Sequence, residues 1–256
     1  MNASIQQLNE KPHLDDRAAR KRIGLLILST DHVTELDFAR LVPRDGIGVY
    51  TTRVPFVNPV TRENLRAMQP SLADGAALIL PDEPLDVVMF SCTSASVMIG
   101  DDAVKAAVKK TKPEATVVTP TSAAATALQA LGAKRISILT PYTAEVSQAM
   151  AEYFEAKGFS IDAVTCLGLT DDREMARISH DEIVRLAQSA VASESDALFI
   201  SCTGVRAAAV IAKIEALIGK PVVSSNLATA WMCTRLCGNE VERPELGRLM
   251  AVELPH

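Results

Sequence analysis

The sequence predicts an α/β protein: two similar parallel-sheet units related by pseudo-twofold symmetry, with the active site between them. Three observations carry that reading. Short apolar runs alternate with helical-length segments along the whole chain. The pattern repeats after about 110 residues. Aromatic residues are only 4% of a chain that is 48% hydrophobic, so the core is mostly Ala, Val, Leu and Ile. Such a core suits parallel strands covered by Ala-rich helices.

The elements follow in order. Strands are expected at 23–28, 46–54, 87–91 and 116–120, then at 135–139, 197–201 and 221–225. Helical spacing occupies 61–74, 95–111 and 122–131 in the first part, and 144–157, 179–193, 205–218 and 227–237 in the second. The repeat is visible in detail. Asp86-Val-Val-Met-Phe-Ser-Cys-Thr-Ser has its counterpart in Asp196-Ala-Leu-Phe-Ile-Ser-Cys-Thr-Gly, and Lys21-Arg22-Ile23 has its counterpart in Lys134-Arg135-Ile136. This predicts one unit used twice, at 22–132 and 133–240. A polar arm at 1–21 precedes them, and residues 241–256 are expected to pack back on the first half.

Composition narrows the function. A net charge of -5 leaves no electrostatic footprint for nucleic acid. No apolar run reaches the roughly 18 residues of a membrane span. The first twenty residues lack the apolar core of a secretory signal. Five cysteines without scaffold spacing then point to free thiols in a cytoplasmic protein. A homo-oligomer is left open, since no heptad or patch specifies one.

The two Ser-Cys-Thr turns are the strongest chemical signal. Each follows an apolar strand and precedes a helix, at the strand end where open α/β sheets bind ligands. Packed about a twofold axis, Cys92 and Cys202 face each other across one cleft. A lone cysteine in such a place is ordinarily core. A matched pair at equivalent repeat positions outweighs that reading. Unpaired amides at a helix N-terminus lower a thiol pKa from about 8.5 toward neutrality, which suits a base or nucleophile. The hydroxyls of Thr93, Ser94 and Thr203 are placed to bind a substrate carboxylate.

Weaker candidates surround the pair. Asp31, after the first strand, reads as a cleft residue or as a helix N-cap. Tyr142 follows the corresponding strand of the second half, and points to substrate or packs on the surface. Asn226, after the last strand, reads as a cap or a cleft donor. Cys166, Cys233 and Cys237 default to structural roles. Cys233 and Cys237 lack partners at zinc-site spacing, so no metal is expected. Glycine patterns of serine hydrolases, nucleotide triphosphatases and dinucleotide enzymes are absent from the sequence.

Phe90-Ser91-Cys92-Thr93-Ser94-Ala95-Ser96 and Ile200-Ser201-Cys202-Thr203-Gly204 resemble the two signature turns of the aspartate/glutamate racemase superfamily. Thr140-Pro141-Tyr142 resembles the branch of maleate cis-trans isomerase and arylmalonate decarboxylase, and within it the chain is most similar to the ectoine-utilization protein A group. The resemblance spans residues 22 to 240. It implies two domains, an interdomain site, no cofactor and a small carboxylate substrate. By resemblance, Cys92 is nucleophile or first base and Cys202 the partner acid/base. Thr93, Ser94, Tyr142, Thr203 and Gly204 then belong to the substrate pocket. The decarboxylases lack the first-half cysteine, so Cys92 favours an isomerase or racemase over a decarboxylase. A carboxylate-binding protein on the same scaffold is the reading from another class. One departure stands out: Asp31 occupies the place of an asparagine in the maleate isomerases. It points to a substrate bearing an amine or amide, as an ectoine-derived compound would.

Overall fold

Asp86 and Asp196 explain why the two halves open alike. Asp86 accepts the Arg22 amide and the Lys21 ammonium, both at 2.9 Å. Asp196 accepts the Lys134 and Arg135 amides, both at 2.8 Å. Each aspartate precedes the central strand of its sheet and anchors the start of the neighbouring strand. The two repeated signals, Asp-apolar and Lys-Arg-Ile, are thus partners in one interaction.

A computed structural model describes residues 3–255; Met1 and Asn2 of the arm and His256 of the tail lie outside the described residues. The first sheet contains β1 (Lys21–Leu28), β2 (Ile47–Val54), β3 (Val87–Ser91) and β4 (Thr116–Val118), in the order β2-β1-β3-β4. The second contains β5 (Arg135–Thr140), β6 (Ser160–Cys166), β7 (Ala197–Ile200) and β8 (Val222–Ser224), in the matching order β6-β5-β7-β8. All six pairings are parallel. Every residue of β3 and β7 is buried, as continuous apolar runs in a doubly covered sheet require.

The helices of the first half are α1 (Thr34–Leu41), α2 (Arg62–Arg66), α3 (Ser71–Ala77), α4 (Thr93–Ile99), α5 (Asp101–Lys109) and α6 (Pro120–Ala130). Those of the second are α7 (Ala144–Ala156), α8 (Asp172–Met175), α9 (His180–Ala190), α10 (Ile211–Ile218) and α11 (Ser225–Leu236). The expected helix at 95–111 is two helices, because Gly100 adopts φ +92°, a conformation that ends α4. The expected helix at 205–218 opens with a 3₁₀ turn at 206–209.

Three elements escape the sequence pattern. Strand β6 is a partly exposed edge with no apolar face to announce it. Helices α1 and α8 have eight and four residues, too few for a clear period. Residues 3–20 form no helix or strand and are almost wholly exposed. The C-terminal tail contacts both halves. The Arg243 guanidinium donates to the Arg40 and Leu41 carbonyls of the first half, while Trp231 and Arg235 of α11 donate to the carbonyls of Val252 and Met250. Among the described residues, no helix is long and apolar enough to cross a membrane.

Candidate active site

The strand orders place the site. In each sheet the chain leaves the first strand in one direction and the third in the other, which opens a crevice at their C-terminal ends. Ser91 pairs beside Ile27 at one such end, and Ile200 beside Leu139 at the other. Cys92 and Cys202 are the next residues out of β3 and near the end of β7. Both are buried and free.

Hydrogen bonds between the halves hold the turns together. Thr93 Oγ1 donates to Ser225 Oγ at 2.9 Å, and Thr203 Oγ1 donates to the Ser91 carbonyl at 3.2 Å. Asn226 contributes here differently from what its position suggested. It lies inside the first turn of α11, whose cap is Ser224, and it does not line the cavity. Its amide donates to the Thr203 carbonyl at 2.9 Å and to Asp37 at 2.8 Å. Asn226 is therefore neither cap nor cleft donor; it holds the second turn against α1.

One narrow cavity, about 450 Å³ when the space open to solvent is counted, receives both turns. Cys92, Thr93, Ser94, Tyr142, Cys202, Thr203, Gly204 and Asp31 all line it. Thr30 and His32, which flank Asp31 in the turn after β1, line it too. Phe56, Val60, Leu65 and Met175 add an apolar lining and Asp172 a further carboxylate, and the sequence pattern marks none of these five. Asp172 opens α8, and its only sequence signal is the Asp171-Asp172 pair that begins that short helix. Asp172 accepts from Thr30 Oγ1 and, at 2.7 Å, from Asn58 Nδ2, so it also bridges the halves.

Asp31 is a cleft residue and not the cap of α1, which is Val33, although its side chain binds the turn that leads into that helix. One carboxylate oxygen accepts the Val33 and Thr34 amides at 2.8 and 2.9 Å, and the other accepts Thr34 Oγ1 at 2.6 Å. This fastens the start of α1 while the residue lines the cavity.

The thiols depart from expectation in the direction of their acidity. Burial pushes Cys92 up to about 12, against lowering by the Ala95 amide and the Ser94 hydroxyl. Burial likewise pushes Cys202 up to about 11, against hydrogen bonding from Tyr142 and the Gly204 amide. The Gly204 N–H reaches Cys202 Sγ at 3.3 Å. Cys92 caps α4, but Cys202 is followed by a turn and not by the expected helix start, so its one amide donor is Gly204. At both, loss of water outweighs the donors and the nearby Asp31 opposes them. Tyr142 is also raised, chiefly by burial. At rest, both sulfurs carry their protons.

The Cys202 backbone is unusual as well. Its φ is +93°, a left-handed conformation that a β-carbon disfavours. Such strain persists only where surrounding bonds impose it, and it concentrates at functional sites. The contacts of Thr203 with Ser91 and Asn226 supply that constraint.

Comparison with known proteins agrees with this geometry. The arylmalonate decarboxylase family matches residues 56–250. The arylmalonate decarboxylase of Bordetella bronchiseptica is 33% identical over 82% of this chain and 92% of its own. The maleate isomerase of Nocardia farcinica is 28% identical over 90% of this chain and 95% of its own. A cysteine-to-serine mutant of the Nocardia farcinica maleate cis-trans isomerase, solved with a covalently bound succinylcysteine intermediate, superposes with a TM-score of 0.83 at 26% identity, covering 90% of this chain and 98% of that one. The chain belongs to the arylmalonate decarboxylase family, in the branch that it shares with the maleate isomerases, and is an enzyme of that family.

Proposed function

We propose that this protein is a cofactor-independent isomerase or racemase that acts on a small carboxylate through Cys92 and Cys202. The observation that carries the reading is the opening of both thiols into one cavity from equivalent positions of the two halves. Two sulfurs facing one substrate provide a base and an acid, or a nucleophile and an acid. A cavity needing only one of these would not require the second thiol.

In the isomerase form, Cys92 first releases its proton to solvent, and the resulting thiolate adds to a carbon–carbon double bond conjugated with the carboxylate. The displaced electron pair moves onto the carbon beside the carboxylate, which takes a proton from Cys202. Rotation about the resulting single bond, return of that proton and expulsion of the Cys92 sulfur give the other alkene. A relative with a succinylcysteine intermediate supports the covalent step. In the racemase form, one thiolate removes the α-proton and the opposite thiol supplies another. Both forms build negative charge on the carboxylate. The Ser94 and Tyr142 hydroxyls and the Thr93 and Gly204 turns are the groups assigned to hold it.

Retention of Cys92 favours these reactions over simple decarboxylation. A cytoplasmic setting belongs to the same proposal, supported by five free cysteines. The test is a nuclear magnetic resonance screen of small dicarboxylates and amino acids for conversion by the wild-type protein, Cys92→Ala and Cys202→Ala. The proposal expects one class of substrate to be converted by the wild type alone. Undiminished conversion by either variant would refute it.

A further inference from the structure

The polar lining of the cavity is unevenly charged. Asp31 enters from the turn after β1, and Asp172 from α8 of the other half. No lysine or arginine stands among the described lining residues, and His32 is the one other ionisable group there besides Tyr142 and the thiols. Arginines occur only outside, where His32 and Ala176 separate the cavity from a surface depression bearing Arg173, Arg177 and Arg206. Arg173 is paired with Asp171, Arg177 stands 4.0 Å from Glu174, and Arg206 donates to the Ile178 carbonyl.

Both aspartates are held in place as acceptors. Asp31 takes the Val33 and Thr34 donors, and Asp172 takes Asn58 and Thr30. Neither is an exposed side chain free to swing away: both are partly buried, Asp31 is tied within the first half, and Asp172 is tied across to Thr30 and Asn58. A dicarboxylate in this cavity would set two negative charges against two more. A carboxylate with a protonated amine would set its cation against them instead.

We infer that Asp31 and Asp172 make the cavity selective for a carboxylate substrate that also carries a protonated amine. The inference rests on reading this cavity as the reacting site. It adds Asp172, which the sequence left unmarked, as a residue that determines specificity. The same cation would assist the chemistry. Both aspartates oppose charge on the Cys202 sulfur, and Asp31 also opposes it on Cys92. A bound ammonium offsets that opposition when a thiolate forms.

The test uses matched probes on the full chain: butyrate against each enantiomer of 2-aminobutyrate, and succinate against each enantiomer of aspartate. Dissociation constants are measured by calorimetry for the wild type, Asp31→Asn and Asp172→Asn. At least one amine-bearing probe should bind about tenfold more tightly than its partner, and each substitution should reduce that ratio several-fold. A ratio within one variant cancels any general loss of fold or affinity. Equal binding of both members of each pair, no binding of any amine-bearing probe, or a preference unchanged in both variants overturns the inference. Conversion by Cys92→Ala and Cys202→Ala tests the underlying reading separately, so either can fail alone.

Discussion

Thr203 Oγ1 donates to the Ser91 carbonyl at 3.2 Å, tying the residue after one cysteine to the residue before the other. Thr93, after Cys92, crosses the same boundary to Ser225. The separation of the two thiols is therefore set by bonds at the turns themselves, and less by the packing of distant helices. A shift at either turn is transmitted to the other sulfur.

Thr203→Val removes the hydroxyl while keeping the branched shape. It should lower stability by about 1 kcal/mol, the usual net value of one hydrogen bond. Its effect on kcat should exceed that loss, because the pair of sulfurs loses its register. Urea unfolding and turnover on the same preparation measure both.

The strained Cys202 backbone yields an unusual ranking. Replacement by alanine leaves a β-carbon at φ +93°, whereas glycine removes it. Cys202→Gly should thus be more stable than Cys202→Ala by about 1 kcal/mol, despite the greater freedom of the glycine chain when unfolded. Thermal unfolding of the two inactive variants decides this.

The pH dependence follows from the raised thiols. Turnover needs one thiolate, and the folded thiols lose protons only near 11 and 12. With substrate-independent ionisation, kcat/KM should rise across neutral pH and continue to rise above pH 9. Stability runs the other way. An unfolded thiol ionises near about 8.5, so the folded chain holds more protons between that value and about 11 to 12. The contribution of these thiols to stability is fully present below that window and is lost as pH rises through it. Unfolding free energies at pH 7, 9 and 10 should fall in that order, with a smaller fall in a Cys92→Ala variant.

Asn226→Ala should be costly without touching substrate. It leaves the Thr203 carbonyl and the buried Asp37 carboxylate without their amide partner. Asp37 is already raised by burial, and Asn226 is the principal group lowering it. The expected loss is about 2–3 kcal/mol, as for orphaned buried acceptors. Asn226→Asp should be no better, since it adds a second carboxylate. Chemical denaturation of both variants measures the effect.

Much of this architecture is legible in the chain because duplication writes it twice. Asp86 with Lys21-Arg22 and Asp196 with Lys134-Arg135 mark the same anchoring interaction, and the Ser-Cys-Thr turns mark the same strand end. Other features leave weaker traces. Strand β6 lies at an edge and needs no apolar face. Asp172 reaches the cavity through the fold of a loop, which no periodicity encodes. Thiol acidity was misread for a related reason. The local turn shows helix-terminal amides, whereas burial depends on the other half of the molecule closing over the sulfur.

The central claim is that Cys92 and Cys202 act together on one substrate, as nucleophile and acid or as base and acid. Deuterium incorporation during turnover in heavy water tests it most directly. In the racemase form the wild type should place solvent deuterium at the carbon beside the carboxylate as product forms, whereas in the isomerase form the deuteron from Cys202 is returned and the product alkene stays unlabelled. Cys92→Ala and Cys202→Ala should each lose turnover by about a hundredfold or more. Product formation at the wild-type rate in either variant would contradict the two-cysteine account.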